Sequence, residues 1–305
     1  MKGVLQVRWR LVAVMITIAC AGIIAARAAD AAPLLHRVVN LWPDGSPNNP
    51  AQGPRPTMEI FYPISPGHAI PAVIVICPGG GYGSLSPYEK LFAEYFRMLG
   101  YTAAVVNYRV KTRHPAPYAD AARAIRLLRS QAGELKVPAH NLALMGGSAG
   151  GHLAALVATR PTVYRDANDD LAATVSARPD RLILAYPVIS AVLGQTGNSK
   201  TFPRLLGDSP SDALKKAVSP ELHVTKQNPP AFIFHAADDD LISVDNSIVF
   251  AKACWAAGVP AELHVFPRGG HGRLFAYSAD VTWRWRELLR DWLAAWPLTD
   301  AAPPK

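Results

Sequence analysis

Gly146, Gly147, Ser148, Ala149 and Gly150 form a G-x-S-x-G pentapeptide, a spacing that can turn a serine into a nucleophile. Asn141 to Met145 just before it is a short apolar run of strand character. Leu153 to Thr159 just after it is rich in Ala and Leu and reads as helix. A sharp strand-to-helix turn lifts the serine hydroxyl above the edge of a sheet. Gly146, Gly150 and Gly151 are small enough for the backbone to bend and for a substrate to approach. The helix behind Ser148 would point its first amides at a developing negative charge. A bystander serine in a Gly-rich turn is the plain alternative, and the rest of the chain must decide.

A serine hydroxyl is a poor nucleophile without a base, and the base needs a carboxylate to orient it. Two later stretches supply both. His235, Ala236, Ala237, Asp238, Asp239 and Asp240 follow a strand-like run ending at Phe234. Gly269, Gly270, His271 and Gly272 follow another ending at Phe266. Among the nine histidines, His271 has the order and position of the base. His36 and His264 lie within strand runs, His140 precedes one, His114 neighbours a proline and His223 sits in an irregular segment. His152, one turn past the serine, reads as a packing residue. Of the three aspartates, the distance to Leu241–Val244 favours Asp239 as the acid, with Asp238 in reserve.

Acyl transfer also needs donors for an oxyanion. Gly79, Gly80 and Gly81 follow the run Ala72–Cys77, and Gly80, Gly81 and Ala149 are the candidate donors. No Gly-Lys-Ser/Thr follows these glycines, so a phosphate loop is excluded, and the dinucleotide spacing fails as well. Trp42 and Tyr82 are candidates to stack on a substrate. Asp166, Asp169 and Asp170 lack the calcium-loop pattern and read as a solvated turn. Trp285, Leu289, Trp292 and Trp296 recur at helical spacing and read as core.

From residue 72 onward, strand and helix patterns alternate. Ala72–Cys77 and Tyr101–Asn107 are continuous apolar runs of the kind buried on both faces of a sheet. Strands follow at 141–145, 181–186, 231–235 and 261–266, with helices at 88–99, 118–132, 244–257 and 280–296. Two earlier runs, 34–41 and 57–62, are expected as an antiparallel edge. The pattern specifies an α/β fold, a mostly parallel sheet of about eight strands with helices on both faces. Residues 190–226, polar and broken by Pro203, Pro210 and Pro220, read as an insertion overhanging the site.

Residues 1–28 stand apart. Lys2, Arg8 and Arg10 precede an uncharged apolar run from Leu11 to Ala25, and Ala26, Arg27 and Ala28 form a small-x-small pattern. This reads as a secretory signal peptide, with an uncleaved anchor or a lipoprotein cut before Cys20 as alternatives. Residues 29–305 are then expected to form one domain of a periplasmic or secreted protein, without a stable membrane span after cleavage. Four of the 31 Lys and Arg residues and none of the 23 Asp and Glu lie in the leader, so the remainder carries 27 against 23, a net of +4. That is too mild to argue for nucleic acid. Cys77 and Cys254 are two thiols without a disulfide framework and read as packed. The oligomeric state is not legible.

Assembled, these residues resemble the α/β-hydrolase superfamily. More narrowly, they are similar to its acetylxylan-esterase and carboxylesterase branch, related to hormone-sensitive-lipase-like enzymes. The pieces that carry the resemblance are Leu41 to Gly45, Pro78 to Tyr82, Asn107 to Arg109, Gly146 to His152, Asp239 with Val244 to Ser247, and Gly269 to Gly272. It implies Ser148 as nucleophile, His271 as base, Asp239 as acid, and Gly80, Gly81 and Ala149 as oxyanion donors. It implies no metal and no organic cofactor. The implied substrate is a small-molecule or polysaccharide ester, foremost an O-acetyl group on xylan or a related saccharide. A serine peptidase, a longer-chain lipase or feruloyl-type esterase, and a non-catalytic carbohydrate-binding relative are the other readings. Pro78, Ala236 and Ser243 depart from the pattern, which has His, Gly and often Pro there. Relatives of this kind are often labelled xylanases, but no pair of carboxylates of the kind glycoside hydrolysis requires is tied to the site.

Overall fold

A computed structural model of the chain describes residues 35–50, 53–138, 140–163, 166–193, 200–272 and 284–298. The leader expected over residues 1–28 lies outside them. Eight strands form one sheet: β1 (His36–Asn40), β2 (Thr57–Phe61), β3 (Val73–Cys77), β4 (Thr102–Asn107), β5 (Leu142–Gly147), β6 (Arg181–Ala185), β7 (Ala231–Ala236) and β8 (Ala261–Phe266). Their order is β1-β2-β4-β3-β5-β6-β7-β8. β1 and β2 pair antiparallel, as does β2 with β4; every later pairing is parallel. The helices are α1 (Glu89–Met98), α2 (Ala116–Ser130), α3 (Ala132–Leu135), α4 (Ala149–Thr159), α5 (Thr201–Leu206), α6 (Asp212–Ala217), α7 (Asp245–Ala256) and α8 (Arg284–Ala294). This is the α/β-hydrolase fold.

The alternation of β3 shows why the sheet is covered twice. Val73, Val75 and Cys77 enter a core shared with α2, α4 and α7, whereas Ile74 and Ile76 enter one shared with α1 and α8. All five are fully buried, so the strand is apolar without interruption. Trp285 of α8 stacks on Phe234 of β7, ring centroids 4.8 Å apart, which places the C-terminal tryptophans in the core. Cys77 and Cys254 are buried free thiols, and burial pushes both up to about 12.

The buried stripe of α1 is Glu89, Phe92, Ala93 and Phe96, while Leu91 is exposed. The helix is turned so that an acidic side chain enters the interior. Three local expectations are corrected. Asp169 belongs to no solvated turn. It is buried and accepts from Arg123 and Arg126, both at 2.6 Å. The insertion over 190–226 is not loop throughout, since its described part holds α5, α6 and a 3-10 turn at Pro220–His223. Trp42 and Tyr82 are core residues, as described with the site.

The strand order fixes where a site can form. From β3 the chain crosses to β4 on one side and then returns to β5 on the other. Loops leaving the C-terminal ends of β3 and β5 diverge there and open a crevice. The glycine loop follows β3 and Ser148 follows β5, so both face that crevice.

Two glycines hold the crevice to its shape. A Cβ on Gly150 would stand 2.0 Å from Cys77 O and 2.6 Å from Pro78 O, both backbone atoms that cannot rotate away. A Cβ on Gly146 would stand 2.1 Å from Gly150 O, also backbone. Gly150→Ala is expected to destabilise the protein by about 3 kcal/mol or more in urea unfolding, with loss of activity. Gly133→Ala, where a Cβ meets nothing within 4 Å, is the control. It is expected to change stability by less than about 1 kcal/mol.

Candidate active site

Ser148 occupies the turn between β5 and α4 with φ 53° and ψ −122°, a backbone conformation that L-residues rarely adopt. The turn is pinned from both sides. Ser148 N donates to Ala185 O at 3.1 Å, and Ser148 O accepts from Val188 N at 3.0 Å and His152 N at 3.2 Å. Strain of this kind persists where the surroundings over-determine it, and it presents the side chain at the tip of the turn.

His271 reaches Ser148 from the loop after β8, with Nε2 2.9 Å from Ser148 Oγ. Its Nδ1 lies 2.9 Å from Asp239 Oδ2. A carboxylate can only accept, so Nδ1 carries the ring proton and Nε2 is left to accept from the serine hydroxyl. The neighbouring Asp238 faces elsewhere: its Oδ1 accepts from Gly270 N at 2.7 Å and so anchors the loop that carries His271. Asp239 is therefore the carboxylate that meets the imidazole.

Asp239 is more heavily supported than a three-residue relay requires. Its Oδ1 accepts from Leu241 N at 3.0 Å and Ile242 N at 2.9 Å. Its Oδ2 lies 3.1 Å from His235 Nε2 as well as 2.9 Å from His271 Nδ1. His235 Nε2 is also 3.1 Å from Ile242 O, and two acceptors on one nitrogen require that it carry a proton. His235 Nδ1 then accepts from Ser247 Oγ at 2.8 Å. Burial would raise the Asp239 carboxyl, but hydrogen bonds from His235, His271 and Ile242 N outweigh it and hold it well below the usual carboxylate range.

Beside the serine runs the glycine loop. A Cβ on Gly79 would stand 3.1 Å from Gly147 O and 3.3 Å from Ser148 Cβ, so the loop and the serine turn are in contact. Tyr108 Oη donates to Pro78 O at 2.6 Å and holds the start of the loop. The Gly79 amide is already used, donating to Glu89 Oε1 at 2.8 Å. Gly80 and Gly81, at φ 112° and 61°, donate their amides to no group among the described residues. Ala149, the first residue of α4, has an amide with no intrahelical acceptor.

Trp42 and Tyr82 do not line the site. Trp42 is 1% exposed, and its Nε1 donates to Asp120 Oδ1 at 2.7 Å between the guanidinium groups of Arg109 and Arg123. Tyr82 is 0% exposed, and its hydroxyl lies 2.7 Å from His152 Nδ1. His152 Nε2 lies 2.7 Å from Val218 O, so Nε2 carries the proton and Nδ1 accepts from Tyr82. Both aromatic rings spend their polar atoms on internal partners, and neither has a face for a substrate. They brace the loops that carry the site.

Four contributors escaped the sequence reading. His235 and Glu89 are two of them. Tyr186, just past β6, packs edge-on against the His271 ring at 4.9 Å and lies under Gly147, where a Cβ would come within 2.9 Å of its hydroxyl. Arg204 of α5 lies across the glycine loop, its Nη1 3.0 Å from the Cβ positions of Gly81 and Gly83. The spacing of four between His235 and Asp239 and the place of Glu89 on a buried helix stripe were the only available signals. Among the described residues, no group of three or more His, Cys, Asp or Glu side chains could hold a metal ion, and no helix is long and apolar enough to cross a membrane.

Comparison with known proteins places this geometry. The sequence profile of the BD-FAE family matches residues 58–254, from β2 into α7. An acetylxylan esterase of Xylanibacter ruminicola is 31% identical over 265 residues, 81% of this chain and 48% of that protein. Endo-1,4-beta-xylanase B of Butyrivibrio fibrisolvens is 34% identical over 205 residues, 65% of this chain and 32% of that protein. The chain thus covers about half and about a third of the length of these two relatives. The crystal structure of an acetyl ester-xyloside bifunctional hydrolase from Caldicellulosiruptor lactoaceticus superposes with a TM-score of 0.78 at 35% identity, covering 85% of this chain and 96% of that one. On fold and sequence together, the chain belongs to the BD-FAE family and has the α/β-hydrolase fold of the esterases it resembles.

Proposed function

We propose that the protein is a periplasmic or secreted serine esterase that removes short acyl groups, acetyl foremost, from saccharide alcohols such as those of xylan. The observation that carries this reading is the unbroken chain Ser148 Oγ, His271 Nε2, His271 Nδ1, Asp239 Oδ2, with both links at 2.9 Å. Ser148 Oγ attacks the ester carbonyl carbon while its proton passes to His271 Nε2. The carbonyl oxygen becomes an oxyanion, received by the amides of Gly80, Gly81 and Ala149. The imidazolium then gives its proton to the leaving alcohol oxygen, and the acyl group remains on Ser148. Water repeats the sequence from the other side: His271 takes its proton, its oxygen attacks the acyl carbon, and the carboxylic acid leaves as Ser148 recovers its hydrogen.

The choice of acetyl and xylan is supported by the names of the Xylanibacter ruminicola and Caldicellulosiruptor lactoaceticus proteins. Export is supported by the leader pattern of residues 1–28. The test is acetate release from acetylated xylan and acetylated xylose, run beside p-nitrophenyl octanoate and an aminoacyl p-nitroanilide. We expect kcat/KM for the acetyl esters to exceed that for the octanoate at least tenfold, with no amide cleavage. A preference for the octanoate or the anilide would replace the reading with lipase or peptidase.

A further inference from the structure

Glu89 is a buried ionisable group beside the serine turn that the reaction above does not use. It is the first residue of α1, 2% exposed, on the face of the helix that carries Phe92 and Phe96 into the core. Its Oε1 accepts from Gly79 N at 2.8 Å. A Cβ on Gly79 would stand 3.2 Å from that oxygen and 3.3 Å from Ser148 Cβ, so the carboxyl sits directly behind the meeting of loop and nucleophile. Its other oxygen, Oε2, is buried without a hydrogen-bond partner.

The remaining bonds of the loop explain what this contact does. Gly79 O accepts from Ser86 N at 3.1 Å, Gly80 O from Gly83 N at 3.1 Å, and Tyr82 O from Lys111 N at 2.8 Å. With Tyr108 on Pro78 O, these hold the carbonyl oxygens of the loop. Glu89 is the one side chain that holds an amide of the glycine run among the described residues. It draws Gly79 N–H inward, and the next peptide planes, at positive φ on Gly80 and Gly81, leave two amides without internal acceptors. An oxyanion hole depends on donors aimed before charge develops, so a residue that fixes the first plane of the loop sets the aim of the next two.

We propose that Glu89 is a positioning residue for the oxyanion donors, holding the Gly79 amide inward so that the Gly80 and Gly81 amides face the reacting carbonyl oxygen. This rests on the esterase reading of the site. Burial raises the Glu89 carboxyl against the hydrogen bonds of Ser86 and Gly79. Glutamine should replace it, since its amide oxygen can accept from Gly79 N, whereas alanine offers nothing.

The test compares wild type, Glu89→Gln and Glu89→Ala with p-nitrophenyl acetate, and with phenylboronic acid as a tetrahedral oxyanion mimic. We expect Glu89→Ala to lower kcat roughly 100-fold, the scale of losing one oxyanion donor, with KM within threefold. Glu89→Gln should stay within about fivefold of wild type, and boronate affinity should fall in step with kcat/KM across the set. Where Glu89→Ala fails to fold, Glu89→Asp, one methylene too short to reach Gly79, takes its place with an expected loss of at least tenfold. A kcat for the alanine or aspartate variant within threefold of wild type overturns the proposal. So does a glutamine variant as slow as alanine, or a rise in KM at unchanged kcat. Labelling of Ser148 by a fluorophosphonate separates the two levels. Wild type that hydrolyses and labels, beside an unimpaired Glu89→Ala, refutes the role of Glu89 alone; wild type that does neither refutes the esterase reading.

Discussion

Ser148→Ala is expected to lower kcat for p-nitrophenyl acetate by roughly 10⁵- to 10⁶-fold while the thermal midpoint stays within a few degrees of wild type. The magnitude comes from the geometry. The hydroxyl is the atom that His271 Nε2 contacts at 2.9 Å, and no other hydroxyl bonds that nitrogen among the described residues. Without it, the imidazole has a carboxylate behind it and nothing to deprotonate. The backbone at 148 tolerates alanine no worse than serine, and the amide and carbonyl that pin the turn remain. Groups that act as a unit are not additive in their removal. The double variant Ser148→Ala, His271→Ala should therefore be only a few-fold slower than Ser148→Ala, whereas independent contributions would multiply. Single-variant activity within 100-fold of wild type would remove Ser148 from the mechanism.

Asp239→Asn should lower kcat by about 10³- to 10⁴-fold and leave KM nearly unchanged. The carboxylate receives four donors: Leu241 N and Ile242 N on Oδ1, His235 Nε2 and His271 Nδ1 on Oδ2. An amide has one accepting oxygen. The backbone donors cannot reverse, so that oxygen stays on Leu241 and Ile242, and the NH₂ group faces the imidazoles. His271 must then accept at Nδ1 and carry its proton on Nε2, where it can no longer receive the serine proton. The same substitution changes stability with pH. Because the folded carboxyl lies below its unfolded value near 4, the stability it contributes is complete above about pH 4 and is lost as pH falls toward the folded value. Urea unfolding at pH 7 and pH 3 should show a smaller acid-side loss for Asp239→Asn than for wild type. An asparagine variant with wild-type kcat would transfer the acid role elsewhere.

The site was legible as far as strand ends could be read. Ser148, Asp239 and His271 each come after an apolar run that ends abruptly, and parallel strands deliver their C-terminal loops to one edge. The choice of Asp239 over Asp238 rested on spacing alone. The structure gives the physical reason, since consecutive residues of a turn point apart and the neighbour faces Gly270 N. Trp42 and Tyr82 show where such reading stops. Both stand beside loop motifs, but sequence proximity says nothing of burial, and each nitrogen or hydroxyl finds its partner at least 70 positions away, on Asp120 and His152. Contacts of that range leave no local trace. Glu89 was hidden differently. A charged residue is assigned by default to the wet face of an amphipathic helix, and here it lies on the dry one. The crossing of β3 between β4 and β5, which opens the crevice, is likewise a property of strand order that the alternation of patterns does not specify.

The turn at Ser148 has a consequence for which nucleophiles this scaffold can carry. With φ at 53°, the turn disfavours any side chain that is branched at Cβ. Cysteine is unbranched there; threonine, with a second substituent on the same carbon, is not. The crevice could pass by one substitution from oxygen to sulfur chemistry, but the secondary alcohol is disfavoured by the shape of its own backbone.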